Sequence, residues 1–113
     1  ALAAMVKAAQ ALLKAHNVDI ADAPEVIVSE FRRYFYDTEL FFDPFVKGKF
    51  ASYFFHAYDN RQLPANFDRA RQAVEEARLF IEAAYECHSR MLQAGINSPV
   101  AFAQWYEARL PVH

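Results

Sequence analysis

The central sequence of the chain is LFFDPFVKGKFASYFFHAYDNR, residues Leu40–Arg61, and it carries eight of the eighteen aromatic residues. A helix with aromatic side chains around most of its circumference must be buried on more than one side, by its own domain or by a partner. Asp43 followed by Pro44 is typical of a helix start, because aspartate caps a first turn and proline tolerates its first position. The sequence therefore predicts a central, largely buried helix that begins near these two residues.

Two helices are predicted before this central helix, because apolar residues recur at intervals of three and four. The first covers roughly residues 2–16. The second begins at Pro24, with Asp22 as its cap, and its pattern breaks at residues 37–39. There are only two glycines and no alternating β-branched run, so an all-α domain is predicted.

A long fourth helix and a short fifth helix are predicted after the central one. Asn66 is the expected cap of the fourth helix and Gly95 its expected terminator. Its apolar residues follow a 4-3-4-3 rhythm that suits a helical bundle. These residues are Ala70, Val74, Ala77, Ile81, Ala84, His88 and Met91. The fifth helix is expected from Ser98 and Pro99 to Pro111.

Short connections between these helices favour an up-down four-helix bundle with a short fifth C-terminal helix, in a single domain of residues 1–113. The hydrophobic fraction is 55%, whereas about 45–50% is typical of globular chains. We therefore expect extra buried surface, in a homodimer, with a partner protein or within a longer protein. The candidate interface residues are Phe41, Phe42, Phe45, Phe102, Trp105 and Tyr106.

The composition argues against several classes of function. The net charge is −2, so the basic excess of nucleic-acid-binding proteins is absent. Cys87 is the only cysteine and cannot form an internal disulfide, which favours a reducing, cytoplasmic location. No apolar run approaches the roughly 18 residues that cross a bilayer, so we expect no membrane partner.

Motifs for cofactors and metals are also missing. The sequence has no glycine-rich phosphate loop, no CxxC and no Glu-x-x-His, so we expect neither a cofactor nor a metal site. Cys87 and His88 are adjacent on a helix and point to different faces, which argues against a thiolate–imidazole pair. His16, at the end of the first helix, is interpreted as a cationic cap of that helix.

The candidate binding patch is the polar end of the central helix: His56, Tyr58, Asp59 and Arg61. His56 and Asp59 are three residues apart and share one side of a helix. A carboxylate that orients an imidazole is half of an acid–base site, but it is also a common structural pair. No catalytic residue is assigned, because no nucleophile accompanies the pair.

The chain resembles the HEPN superfamily of four- and five-helix bundles over roughly residues 2–92. The similarity is carried by AHNV at 15–18, SEFRRYF at 29–35, DTELF at 37–41, HAYDN at 56–60 and the alanine-rich closing helix at 68–92. Members of this family are often dimers, and many are ribonucleases with an arginine followed by four to six residues and a histidine. Here His56 precedes Arg61, so the order is reversed and the resemblance implies a non-catalytic member.

Three functions are therefore open. The first is a non-enzymatic domain for dimerisation, docking or ligand binding, acting as an accessory module of a larger protein. The second is a HEPN-type ribonuclease or nucleotide-binding domain that uses the patch from His56 to Arg61. The third is a small-molecule sensor with an apolar pocket between the second, third and fourth helices.

Overall fold

The computed structural model of the chain describes residues 1–63 and 66–109. This part of the chain forms five α-helices and no β-strand, which confirms the all-α prediction. A π-helical segment, Arg32–Tyr36, continues directly from the second helix. The helices are α1 (Leu2–Ala15), α2 (Pro24–Phe31), α3 (Lys49–Asp59), α4 (Phe67–Ala94) and α5 (Pro99–Arg109).

The ends of α4 and the start of α5 lie where the sequence predicts them. The side chain of Asn66 accepts a hydrogen bond from the backbone N–H of Arg69 at 2.8 Å. Gly95 ends α4 with φ 71°, a left-handed conformation that glycine adopts without strain. Ser98 caps α5 by accepting from the N–H of Ala101 at 3.1 Å. Pro111, the predicted end of α5, lies outside the described residues.

The predicted cap of α2 is wrong. Ala23 occupies the N-cap position in an extended conformation, and its side chain makes no capping hydrogen bond. Asp22 is one residue too early to reach that turn. Its carboxylate instead accepts a hydrogen bond from Gln10 of α1 at 3.2 Å, which ties the α1–α2 connection to α1.

The central helix begins later than predicted, at Lys49 rather than near Asp43 and Pro44. The Asp43 carboxylate does accept two backbone N–H bonds, from Phe45 at 2.7 Å and Val46 at 3.0 Å, but these close an isolated turn. These hydrogen bonds also lower the pKa of Asp43. Lys47 has φ 57°, which prevents the turn from continuing as a helix.

The core is built around Phe31, at the end of α2. Five other rings lie 5.1–6.0 Å from it, centroid to centroid. They belong to Phe35, Phe41, Phe54, Phe55 and Phe80. Each such pair contributes about 0.5–1.5 kcal/mol beyond the burial of its surface. The cluster joins α2, α3 and α4, while α1 packs against α4 on another side.

Candidate functional site

His56 and Asp59 both lie at the exposed end of α3. No hydrogen bond within the described part of the chain joins the two side chains, so the carboxylate does not orient the imidazole here. Arg61 is engaged locally instead. Its guanidinium lies 4.0 Å from the centroid of the Tyr58 ring, and its Nη1 donates to the Tyr58 carbonyl oxygen at 2.7 Å. Arg61 thus closes the C-terminal end of α3.

His56 also lines a cleft of about 480 Å³ between the start of α1, the end of α3 and the start of α4. We call it the His56 cleft. Asn60 lies on the same wall, and Arg69 and Gln72 face it from α4. The fold thereby brings His56 of α3 and Arg69 of α4 to the same cleft, which their order in the sequence does not predict. Glu76 adds an acidic group to the α4 wall, so the cleft carries both signs of charge.

The three candidate interface residues before α3 have different environments. Phe41 is 3% exposed and lies in the core against Phe31, which corrects its assignment to an interface. The reason is the turn after the π-helical segment, which directs this side chain inward. Phe42 is half-buried with its ring 5.7 Å from that of Tyr36, while Phe45 is 90% exposed.

The three candidate interface residues of α5 form one aromatic face. The Phe102 ring lies 6.0 Å from the Trp105 ring and 5.9 Å from the Tyr106 ring. Phe102 and Trp105 are half-buried against the core, and Tyr106 is exposed. Most of this face therefore holds α5 onto its own domain.

A larger exposed apolar surface lies on α4. Four of its side chains are 64–77% exposed: Phe67, Val74, Tyr85 and Leu92. Half-buried Ile81 and His88 lie between them on the same side of the helix. We call these six residues the α4 stripe. The predicted rhythm included three of them as core, but the covered line of α4 is Ala77, Phe80, Ala84, Cys87 and Met91.

The α4 stripe borders a groove of about 510 Å³ between α1 and α4, the α1–α4 groove. Its α1 wall contains three alanines, Ala4, Ala8 and Ala11, together with Lys7 and Leu12. Its α4 wall includes Ile81 and Tyr85. The alanines leave room for a further helix to approach closely. Sequence reasoning missed this groove, although the alanines at 4, 8 and 11 indicate a small-residue line.

Two further side chains with reactive groups, Cys87 and His16, are buried. Cys87 is fully buried, burial raises the pKa of its thiol to about 12, and its Sγ lies 3.6 Å from the Leu40 carbonyl oxygen. The thiol is therefore protonated and shielded, and it is a core residue. His16 is 1% exposed and burial lowers its pKa, so the imidazole is neutral at pH 7. This corrects the expectation of a cationic cap, because desolvation outweighs the helix dipole.

In the part of the chain that the structure describes, no group of three or more His, Cys, Asp or Glu side chains could hold a metal ion. None of the described helices combines the length and the apolar character that a membrane crossing requires. No family model, curated protein or solved structure matches this chain. The class defined by the fold is thus an all-α domain with an aromatic core and an exposed apolar helix face.

Proposed function

We propose that this chain is a non-catalytic helical interaction domain that dimerises through the α1–α4 groove. The observation that carries the proposal is the α4 stripe, of which exposed Tyr85 and half-buried Ile81 line a groove opposite three alanines of α1. Exposed apolar surface that is contiguous and bordered by charge is typical of protein–protein interfaces. A second copy of the chain supplies both halves of the contact, because each copy has one stripe and one groove.

The available surface sets the expected strength of the dimer. α4 has 28 residues and α1 has 14. At 1.5 Å per residue and about 10 Å of width, the two helices offer roughly 600 Å² per copy. Stable complexes bury about 800 Å² per partner, so a weak, reversible dimer is expected.

Charges at the edges of the groove favour the same arrangement. Lys7 and Lys14 are seven residues apart on α1, and no ion pair within the described residues involves them. Glu75 and Glu82 are seven residues apart on α4, and both accept hydrogen bonds from Arg78. Helices that cross at a small angle bring seven-residue repeats into register. A two-fold axis along the groove therefore lets the lysines of one copy meet the glutamates of the other.

The arrangement of the helices is also part of the proposal. We take the helices to form an up-down four-helix bundle of the HEPN-like, non-catalytic kind, with α5 across one end. Support comes from the packing of α4 against both α1 and α3 and from the half-buried Phe102 and Trp105 of α5. Cys87, a lone buried thiol, supports a reducing, cytoplasmic location.

Tyr85→Glu tests the dimer directly. Tyr85 is 73% exposed, so a carboxylate there does not disturb the core but places a charge in the stripe. We expect the wild-type chain to sediment as a monomer–dimer equilibrium at micromolar concentration and the variant to be monomeric. Phe45→Glu is the control, because Phe45 is an even more exposed aromatic residue and lies outside the groove. A strictly monomeric wild type, or an undiminished dimer of Tyr85→Glu, contradicts the proposal.

A separate experiment tests the proposed contact between the lysines of one copy and the glutamates of the other. Replacement of Lys7 and Lys14 by glutamate is expected to weaken the dimer severalfold, and more at low salt than at high salt. Replacement of Lys47 and Lys49, which are exposed elsewhere, is the control and leaves the dissociation constant unchanged. Equal effects of the two double substitutions would show that only net charge matters.

The His56 cleft favours a second function, nucleotide binding or RNA cleavage of the HEPN type. An imidazole and a guanidinium that line one cleft can together contact a phosphate. If this function holds, His56→Ala and Arg69→Ala each abolish cleavage of a single-stranded RNA, while Arg61→Ala, with its guanidinium already on Tyr58, does not. The absence of salt-sensitive RNA binding by the wild-type chain removes this candidate.

A further inference from the structure

A second histidine lies at a different cleft, of about 420 Å³, which we call the His16 cleft. It is formed by the end of α1, the π-helical segment and α5. Tyr34 and Thr38 line one side, and Phe102 and Tyr106 line the other. It shares no lining residue with the α1–α4 groove or the His56 cleft.

His16 is the unusual group in this cleft. Its side chain is 1% exposed, and its Nδ1 has no hydrogen-bond partner in the part of the chain that the structure describes. A buried polar atom without a partner is rare in folded proteins and destabilises them. Since burial lowers the pKa of His16, the ring is neutral and presents one N–H donor and one acceptor. His16 also lines the cleft, so a polar ligand atom that reaches its Nδ1 would satisfy it.

The walls of the cleft are aromatic. The Tyr34 ring lies edge-on to the His16 ring, with centroids 6.3 Å apart and planes at 63°. Across the cleft, the rings of Phe102 and Tyr106 lie 5.9 Å apart at 38°. Aromatic side chains on two walls favour a planar aromatic ring between them, in offset or edge-to-face contact.

The rim carries one group of each charge, Arg33 from the π-helical segment and Glu107 from α5. The Arg33 side chain is 70% exposed, and its contact with Glu30 is loose at 4.0 Å. Its guanidinium lies 5.1 Å from the Tyr34 ring centroid, beside the aromatic wall. The Thr38 hydroxyl already donates to the Tyr34 carbonyl oxygen at 2.8 Å, so it is not a ligand donor. A rim with both signs of charge fits a zwitterion.

We propose that the His16 cleft binds a free aromatic α-amino acid whose ring carries a hydrogen-bonding group, as in L-tyrosine. The ring lies between Tyr34 and the α5 aromatic side chains, and the ring hydroxyl bonds to His16. The α-carboxylate pairs with Arg33 and the α-ammonium with Glu107. The π-helical segment, a feature that often marks functional sites, supplies Arg33 and Tyr34. This binding is independent of dimerisation.

Titration calorimetry with L-tyrosine and its analogues tests the chemistry. We expect a dissociation constant below about 1 mM, typical of a ligand of this size. L-phenylalanine, which lacks the ring hydroxyl, is expected to bind about tenfold more weakly. Tyramine lacks the carboxylate and 3-(4-hydroxyphenyl)propionate lacks the amine, and each is also expected to bind about tenfold more weakly. Equal affinity for all four compounds, or no heat from L-tyrosine at millimolar concentration, overturns the proposal.

Substitutions locate the binding site without relying on the buried histidine. Ala103 is exposed and lines the cleft, so Ala103→Trp fills the cleft and abolishes L-tyrosine binding. Ala108→Trp is the control, on the same helix at an exposed position outside the lining. Arg33→Gln and Glu107→Gln each weaken binding about tenfold. Loss of binding in both tryptophan variants, or in neither, places the ligand elsewhere and overturns the proposal.

Discussion

The two apolar lines of α4 have similar chemistry and different surroundings. Both repeat at intervals of three, four and seven residues, and they are adjacent on the helix. One line, which includes Phe80 and Ala84, is covered by α1 and α3. The other, the α4 stripe, includes Val74 and Leu92 and is exposed. Periodicity therefore identifies the apolar sides of a helix, whereas the neighbouring helices decide which side becomes core.

The largest expected contrast is between Phe80→Ala and Val74→Ala. Phe80 is fully buried and its ring packs 4.9 Å from that of Phe54, so its truncation is expected to lower the free energy of unfolding by about 3–5 kcal/mol. Val74 is exposed in the monomer, so its truncation changes that free energy by at most about 0.5 kcal/mol. Urea unfolding of dilute, monomeric protein measures both. Similar losses in the two variants would show that the stripe is covered within one copy.

A smaller difference in stability is expected between the replacement of a buried and of an exposed alanine of α4 by leucine. Ala84 is 5% exposed and lies on the side of α4 that faces α1, so Ala84→Leu is expected to overpack the contact between the two helices and lower the free energy of unfolding by about 1–3 kcal/mol. Ala73, in the exposed N-terminal part of α4, is the matched position. Thermal unfolding should show a clear decrease in Tm for Ala84→Leu and almost none for Ala73→Leu. A stabilising effect of Ala84→Leu would mean that the α1–α4 contact is looser than the structure shows.

The smallest effect concerns His16, a polar side chain that the fold covers as completely as Phe80. Its pKa in the folded state is lowered from 6.5 by burial, so the unfolded chain takes up the proton first as the pH falls. The part of the free energy of unfolding that depends on neutral His16 is therefore constant above pH 6.5. It declines below that pH, by at most about 1.4 kcal/mol per pH unit. The decline stops below the folded-state pKa.

Urea unfolding at a series of pH values between 5 and 8 measures this decline. His16→Phe replaces the imidazole by a somewhat larger aromatic ring that does not titrate, so the variant should lack this part of the pH dependence. Identical pH profiles for wild type and His16→Phe would mean that the imidazole is not desolvated in the folded protein.

The candidate sites were only partly predictable from sequence. Spacing along one helix placed His56 near Asp59, but it carried no information about Arg69, which reaches the same cleft from α4. For His16, the end of a helix predicted a cation, while contacts with Phe35 and Tyr34 from a different element made it neutral. Both differences arise because contacts between distant residues depend on how the helices pack.

The all-α class, the cap at Asn66 and the end of α4 at Gly95 could all be predicted from the sequence. These features depend on local hydrogen bonds and on φ, which a few neighbouring residues control. The start of α3 at Lys49 is also local, because the Asp43 carboxylate closes a separate turn before it, but the sequence pattern did not predict it. Tertiary packing decided which line of α4 is covered and left the Nδ1 of His16 without a hydrogen-bond partner among the described residues, because packing and desolvation depend on every neighbouring helix at once.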